Sequence, residues 1–158
     1  MKLIETKTGN KIEGEIEKIS DRELKKFKKH KNFSFDWSVE SNNQVFKIIL
    51  KEKEEVLGIV SVIDISEELR LHINLIEASK EYRGKNKPIQ NIVGCMIAYV
   101  CQMSFIKGYE GFVSLTPKTR LVNYYRDKYG FQEMGNQMAV FYEISNSIIL
   151  KYFGDEEI

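Results

Sequence analysis

Cysteine and histidine are scarce in this sequence of 158 residues, which contains two of each. The two cysteines, Cys95 and Cys101, lie six residues apart on one predicted helix and therefore cannot face each other. The two histidines, His30 and His72, do not have the spacing of a zinc site. We therefore predict no metal site and no disulfide, and we expect two buried thiols in a reducing compartment.

Net charge and long hydrophobic runs are also nearly absent. The chain has 24 Lys and Arg residues against 23 Asp and Glu residues, and this formal net charge of +1 argues against a dedicated nucleic-acid binder. No membrane span is predicted, because the longest wholly apolar stretch is only about ten residues. The N-terminal sequence becomes charged at once, without a secretory signal. We therefore expect a cytoplasmic protein with a single domain, residues 1–158.

One long stretch, residues 88–108, stands out because it has no charged residue before Lys107, in a chain that is 30% charged. Its apolar residues recur at helical spacing and cover nearly all sides, which predicts a helix buried between other elements. Pro88 suits the first helical turn, and Gly108 is typical of a helix stop. The loop before it, residues 80–87, is basic and contains a glycine, so it can present positive charge and backbone N–H groups to an anion.

The other elements follow from alternation and turn residues. Residues 2–19 predict a hairpin around Thr8, Gly9 and Asn10, and Ser20 or Asp21 then caps a helix. Two largely apolar segments, 45–50 and 56–65, are predicted as strands joined by the charged turn at residues 51–55, and alternating apolar and polar residues predict a half-buried strand at 69–76. After the central helix we predict a strand at 111–116, a helix from Pro117 or Thr119 to Gly130, strands around 135–136 and a helix at 145–153.

Three features leave alternatives open. Trp37 either packs as a plug on the core or lines a substrate groove, and the core is favoured. His72 is interpreted as a structural hydrogen bonder more readily than as a catalyst. The basic run at residues 25–31 is either a solvated helix face or a surface that meets phosphates.

The order of elements from Val45 to Phe131 resembles the GNAT superfamily of N-acetyltransferases. The resemblance rests on a strand hairpin with Gly58 in LGIVSV, a strand that ends in LIEAS, the basic loop, the buried helix, and a helix closing with YYRDKYGF. It implies an α/β fold with a mixed, splayed central sheet flanked by helices on both faces. It also implies acetyl-CoA as co-substrate, bound in the splay between the two central strands.

The resemblance places the cofactor's pyrophosphate at the start of the buried helix, in one of two registers. One register begins at Arg83, with Asn86 and Pro88 where the family has glycines. The other uses helix length to place the cradle at QNIVG, and we favour it. The implied cofactor-binding residues are Leu75 and Ile76 on the strand, Arg83, Lys85 and Lys87 in the loop, Asn91, Ile92, Val93 and Gly94 at the helix start, and Thr119.

The resemblance also suggests a catalytic pair. Glu77, at the end of the central strand, is the candidate base that takes the amine proton, although a carboxylate that caps the loop explains it equally well. Tyr125 is the candidate acid for the leaving thiolate, if one extra residue precedes Gly130. The ungapped register places Arg126 there instead, and ordinary packing also explains a tyrosine on this helix.

We therefore predict an enzyme, an N-acetyltransferase that moves an acetyl group from acetyl-CoA to an amine. A degenerate, non-catalytic module that binds CoA or a partner protein is the first alternative, and the eroded loop favours it. A toxin-like acetyltransferase of aminoacyl-tRNA is the second. The expected partners are acetyl-CoA and an amine acceptor, with no membrane and no general nucleic-acid binding, and a homodimer is left open.

Overall fold

A mixed seven-stranded sheet forms the centre of the computed structural model, which describes residues 1–154. The four last residues of the predicted domain, 155–158, lie outside the described part. The only parallel pair of neighbours in this sheet of residues 1–154 is formed by its fourth and fifth strands. In spatial order the strands are β3 (Gly14–Lys18), β4 (Gln44–Leu50), β5 (Val56–Ile65), β6 (Arg70–Ala78), β8 (Val113–Leu115), β10 (Gln137–Val140) and β9 (Gln132–Met134).

A second, small sheet joins the N-terminal segment to the loop before the central helix. The predicted hairpin is confirmed, with β1 (Leu3–Glu5) antiparallel to β2 (Lys11–Ile12). Residues 14–18 were expected to continue that hairpin, but β3 leaves it and pairs with β4 in the large sheet. The other edge of β1 pairs with β7 (Ile89–Gln90).

Within the described residues, four α-helices accompany the sheets. They are α1 (Asp21–Leu24), α2 (Ile92–Ile106), α3 (Val122–Tyr129) and α4 (Tyr142–Phe153). Short 3₁₀ turns at Lys25–Phe27, Trp37–Glu40, Ser66–Glu68, Lys80–Tyr82 and Thr119–Leu121 link them to the strands. Helix α2 is the predicted buried helix: it packs on β5, β6 and β8, and α4 covers it from outside. Within residues 1–154 no helix is both long and apolar enough to span a membrane.

The start of α2 corrects the predicted boundary. Pro88 was expected in the first helical turn, yet it lies in the loop, and its carbonyl accepts a hydrogen bond from the Thr6 N–H at 2.9 Å. Residues Ile89–Gln90 are extended because they pair with β1, a partner more than eighty positions earlier in the chain. The helix therefore begins only at Ile92, where the favoured register placed it.

Two hydrophobic cores fill the two sides of the large sheet. The larger core surrounds α2 and contains Cys95 and Cys101, both fully buried and free. Burial raises the pKa of each thiol to about 12, so both stay protonated at neutral pH. The smaller core packs residues 19–37 onto the opposite face, and Trp37 is completely buried in it. The prediction that Trp37 is a core plug is confirmed.

Candidate functional site

A cleft opens where the two central strands of the large sheet separate. Strands β6 and β8 pair only from Leu71 with Val113 to Ile73 with Leu115, although β6 continues to Ala78. A bulge marks the point of separation: Ser61 pairs with Leu75 and Val62 pairs with Ile73, so Asn74 is an extra residue on β6. We call the resulting space, about 440 Å³ in volume, the splay cleft.

The edge of β6 beyond Asn74 forms one wall of the splay cleft. Leu75 and Ile76, two of the predicted cofactor-binding residues, line it, and the pairing of β6 with β8 ends at Ile73. A strand edge of this kind presents backbone N–H and C=O groups to any extended molecule placed beside it. The opposite wall is built by residues after β8, including Pro117, Leu121 and Tyr125.

Glu77 lies in the β6 wall of the splay cleft, and both oxygens of its carboxylate accept hydrogen bonds. Oε2 accepts hydrogen bonds from the Ser34 backbone N–H at 2.6 Å and from the Arg83 guanidinium. Oε1 accepts from Trp37 Nε1 at 2.8 Å and from the Phe35 N–H at 3.3 Å. The residue is only 5% exposed. This geometry supports the loop-holding interpretation, and a role for Glu77 as the base stays a prediction.

Arg83 belongs to the same cluster. Besides its ion pair with Glu77, its Nε donates to the Ala78 carbonyl at 2.8 Å and one guanidinium nitrogen donates to Ser34 Oγ at 3.3 Å. Arg83 thus ties the loop after β6 to residues 34–37 while lining the splay cleft. Its guanidinium charge is paired there with the Glu77 carboxylate.

Tyr125, and not Arg126, faces the splay cleft. Tyr125 is buried against Tyr124 and Phe131, and its side chain lines the cleft. Arg126 points outward, where it bonds Asn123 and approaches Asp127. Burial, and then the neighbouring Tyr124, raises the pKa of Tyr125 to about 12. The phenol therefore keeps its proton at neutral pH, and the raised pKa makes it a weaker acid than an exposed tyrosine.

The N-terminus of α2 borders the far end of this region. Asn91 precedes the helix in the left-handed conformation, with φ +76°, and its side-chain amide donates to the Lys2 carbonyl at 2.9 Å. The first N–H groups of a helix have no partner within it, so those of Ile92, Val93 and Gly94 point along the axis toward the loop. Val93 lines the splay cleft as well.

Close packing alone explains why residue 94 is a glycine. A Cβ at this position would lie 2.3 Å from the ring of Tyr152 on α4, far inside any real contact. Tyr152 also borders a cavity of only about 40 Å³ at the helix start, together with Val93, Tyr124, Lys128 and Tyr129. The α2 start is therefore closely covered by aromatic side chains.

The remaining predicted cofactor residues are spread apart. Lys85 and Lys87 lie in a separate depression of about 830 Å³ between the N-terminal hairpin and the turn after β4, and Lys87 also reaches the small cavity. Thr119 opens the 3₁₀ turn before α3, where it is exposed and outside the cleft lining. The lining of the splay cleft thus brings six of the predicted residues together, Leu75, Ile76, Glu77, Arg83, Val93 and Tyr125, and the other predicted residues lie outside it.

Sequence reasoning missed a second buried carboxylate beside the cleft. Glu40 is 7% exposed, and its Oε1 accepts from Asn74 Nδ2 at 2.7 Å and from Asn43 Nδ2 at 3.3 Å. Asn74 itself lines the splay cleft. Asn74 was visible as a polar residue of the alternating strand, but nothing local marks Glu40 as its partner.

His72, in contrast, is used structurally. Its Nδ1 lies 2.8 Å from Ser114 Oγ, and Arg70 donates to the same hydroxyl at 2.6 Å. Burial, and then the Arg70 charge, lowers the pKa of His72. The ring therefore favours its neutral form as a link between β6 and β8, in agreement with the structural interpretation.

A basic surface adjoins the cleft. The exposed lysines Lys28, Lys29 and Lys31 lead to Asn32, whose carbonyl accepts the Lys80 N–H at 2.8 Å. On the other side of the cleft, Lys118 Nζ lies 5.4 Å from the centre of the Phe35 ring. Lys118 and Arg120 line the cleft itself, whereas Lys28, Lys29 and Lys31 are exposed on the chain segment that leads to Ser34 and Phe35 in its wall.

No protein-family description matches this sequence, and comparison with curated proteins finds no match. Solved structures, however, are similar in fold. A spermidine N-acetyltransferase SpeG chimera from Vibrio cholerae and hSSAT has a TM-score of 0.62 at 13% identity, over 85% of this chain and 98% of that chain. AtaT complexed with acetyl-methionyl-tRNA has a TM-score of 0.58 at 11% identity, over 89% of this chain and 99% of that chain.

A third similar structure, the IAA acetyltransferase from Bacillus cereus, has a TM-score of 0.56 at 12% identity, over 78% of this chain and 79% of that chain. Shared architecture at such low identity is evidence of fold rather than of activity. The chain therefore has the fold of the GNAT acetyltransferases, as the resemblance implied.

Proposed function

We propose that this chain is a divergent GNAT N-acetyltransferase, which transfers the acetyl group of acetyl-CoA to an amine. The observation that carries the proposal is the splay cleft: β6 leaves β8 at the Asn74 bulge and offers the backbone edge of Leu75 and Ile76 to an extended ligand. The amide groups of a pantetheine arm have the right chemistry to pair with such an edge as an added strand.

The phosphates would lie at the far end of the same cleft. The first amides of α2 offer an anion site, and Arg83 and Lys87 flank them with positive charge. The exposed Tyr124 and Lys128 side chains border the small cavity there and would have to swing outward, because about 40 Å³ is too small for a pyrophosphate.

Acetyl transfer needs few catalytic groups from the protein. The amine nitrogen forms a bond to the acetyl carbon, the bond from that carbon to sulfur breaks, and the sulfur leaves with a proton. Tyr125 is our candidate donor of that proton, because it lies in the cleft wall and its buried phenol is protonated. The amine gives up its own proton to water, or to Glu77 if that carboxylate is released from its four donors.

Calorimetric titration with acetyl-CoA, followed by an assay of thiol release, tests this proposal. We expect saturable binding, and we expect Tyr125→Phe to bind equally well while releasing thiol at least tenfold more slowly. Tyr142→Phe is the matched control, because Tyr142 is exposed on α4 and its loss should change neither quantity. Absence of acetyl-CoA binding would refute the proposal. Binding without thiol release would instead support the non-catalytic alternative, which the small cavity favours.

The basic surface favours one class of acceptor as a second candidate, an aminoacyl-tRNA. Lysines beside a cleft attract phosphates, and their contribution should fall steeply with salt. The test is to measure the binding of bulk aminoacyl-tRNA at two salt concentrations. Loss of both affinity and salt dependence in the triple variant Lys28→Ala, Lys29→Ala, Lys31→Ala would support this acceptor. Equal binding by this variant would exclude it.

A further inference from the structure

Glu40 is a buried carboxylate that has no cationic side chain paired with it among the described residues. It lies at the end of the 3₁₀ turn Trp37–Glu40, and its hydrogen-bond donors are the neutral amides of Asn43 and Asn74. Within residues 1–154 no lysine or arginine forms an ion pair with it, whereas the neighbouring Glu77 has Arg83. A charge taken out of water without a counter-charge is unfavourable, so a partner that arrives from outside would be stabilising here.

The carboxylate also determines how Asn74 is oriented. An ionised carboxylate only accepts hydrogen bonds, so the side-chain nitrogen of Asn74 must be the atom that faces Glu40. The other end of the amide, Oδ1, is then directed away from Glu40. Because Asn74 is exposed and lines the splay cleft, its oxygen is available there as an acceptor.

The position of this pair matters as much as its chemistry. Asn74 is the bulged residue at which β6 parts from β8, so it marks the closed end of the cleft. In the proposed function the extended part of the cofactor lies along Leu75 and Ile76, next to Asn74 in the chain. A group bound at Asn74 would thus meet the reacting end of that ligand.

We propose that Glu40 and Asn74 form the subsite that receives the acceptor's amine as an ammonium group. Asn74 Oδ1 accepts a hydrogen bond from the ammonium, and the Glu40 carboxylate behind it supplies the opposite charge. The bound ammonium then loses one proton to water, which frees the lone pair that attacks the acetyl carbon. The inference rests on the proposed function and adds the class of substrate: a cationic primary amine. Asn74 touches the amine, whereas Glu40 is a positioning residue that acts through it.

Nuclear magnetic resonance with the full ¹⁵N-labelled chain tests this subsite without requiring turnover. The protein is saturated with CoA and titrated with n-butylamine hydrochloride at neutral pH, with n-butanol as the uncharged probe of similar size. Asn74→Ala identifies the Asn74 side-chain signals by their loss. We expect these signals to shift saturably with n-butylamine and not with n-butanol. We also expect Glu40→Gln to raise the dissociation constant at least tenfold.

The matched control is Glu133→Gln, an exposed carboxylate on β9, which should bind n-butylamine like the original protein. The inference is wrong if the Asn74 signals do not shift with n-butylamine, or if Glu40→Gln binds n-butylamine with the same affinity as the original protein. A lower melting temperature in Glu40→Gln with unchanged amine affinity would assign Glu40 to stability alone. If CoA does not shift the backbone signals of Leu75 and Ile76, the proposed function is wrong. The subsite is then tested separately, by titrating n-butylamine without CoA and following the same Asn74 signals.

Discussion

Replacing Glu77 with glutamine separates its two interpretations. Four donors converge on this carboxylate: the N–H groups of Ser34 and Phe35, Trp37 Nε1 and the Arg83 guanidinium. A glutamine side chain has a single oxygen, and its nitrogen must face two of these donors whichever way the amide is turned. Two hydrogen bonds to a charged acceptor are therefore lost in either orientation.

The expected cost follows from these contacts. A hydrogen bond to a charged group contributes about 1.5–3 kcal/mol, so two of them sum to about 3–6 kcal/mol. Arg83 is 39% exposed on its side chain, and solvent screening reduces its share to at most about 1 kcal/mol. We therefore expect Glu77→Gln to lower the free energy of unfolding by about 2–4 kcal/mol, which in a chain of this size lowers the melting temperature by about 5–15 °C.

Thermal unfolding followed by circular dichroism measures this shift, with the exposed Glu133→Gln as control. If the melting temperature falls by less than about 2 °C, the four contacts do not hold residues 34–37 as described. Thiol release from acetyl-CoA, measured well below the melting temperature, completes the test. A loop-holding Glu77 leaves that rate nearly unchanged, whereas a general base predicts a fall of about 10²–10⁴-fold.

Three further expectations follow from the same structure. Gly94→Leu should destabilise the protein by about 1–3 kcal/mol through its clash with the Tyr152 ring, whereas unchanged chemical denaturation would refute this packing role. Arg83→Ala should weaken the thermal stabilisation by acetyl-CoA more than Lys85→Ala does, because only Arg83 lines the splay cleft, and equal effects would contradict that placement. Cys95 and Cys101 should resist thiol reagents until the chain unfolds. Because folding raises their pKa from about 9 to about 12, stability should fall as the pH rises through this range, and a flat alkaline profile would refute it.

The strands were predictable because their signal is local. A largely apolar run after the charged turn at residues 51–55 located β5 at residues 56–65, and the turn at Gly135 separated the two strands after α3. Gly130 ends α3 in the left-handed conformation, with φ +81°, as its place after Tyr129 indicated. These features depend on neighbouring residues, which one sequence contains in full.

The features that could not be predicted depend on distant partners. Helix α2 begins later than predicted because β1 pairs with Ile89–Gln90. The role of Glu77 depends on Ser34 and Trp37, which lie about forty positions away in the chain. The pairing of Glu40 with Asn74 has a similar separation. Sequence order alone does not show which of these residues meet, so the cleft was predicted more accurately than the side-chain contacts within it.

The contacts around the start of α2 have a consequence for synthesis on the ribosome. Lys2 donates its N–H to the Tyr152 carbonyl at 2.7 Å, its own carbonyl accepts from Asn91, and the Tyr152 ring packs on Gly94. Three segments that emerge at very different times thus meet at one point. A nascent chain that has not yet released α4 lacks the Tyr152 side of this junction, so the end of the cleft at the start of α2 reaches its final form only after translation has passed residue 152.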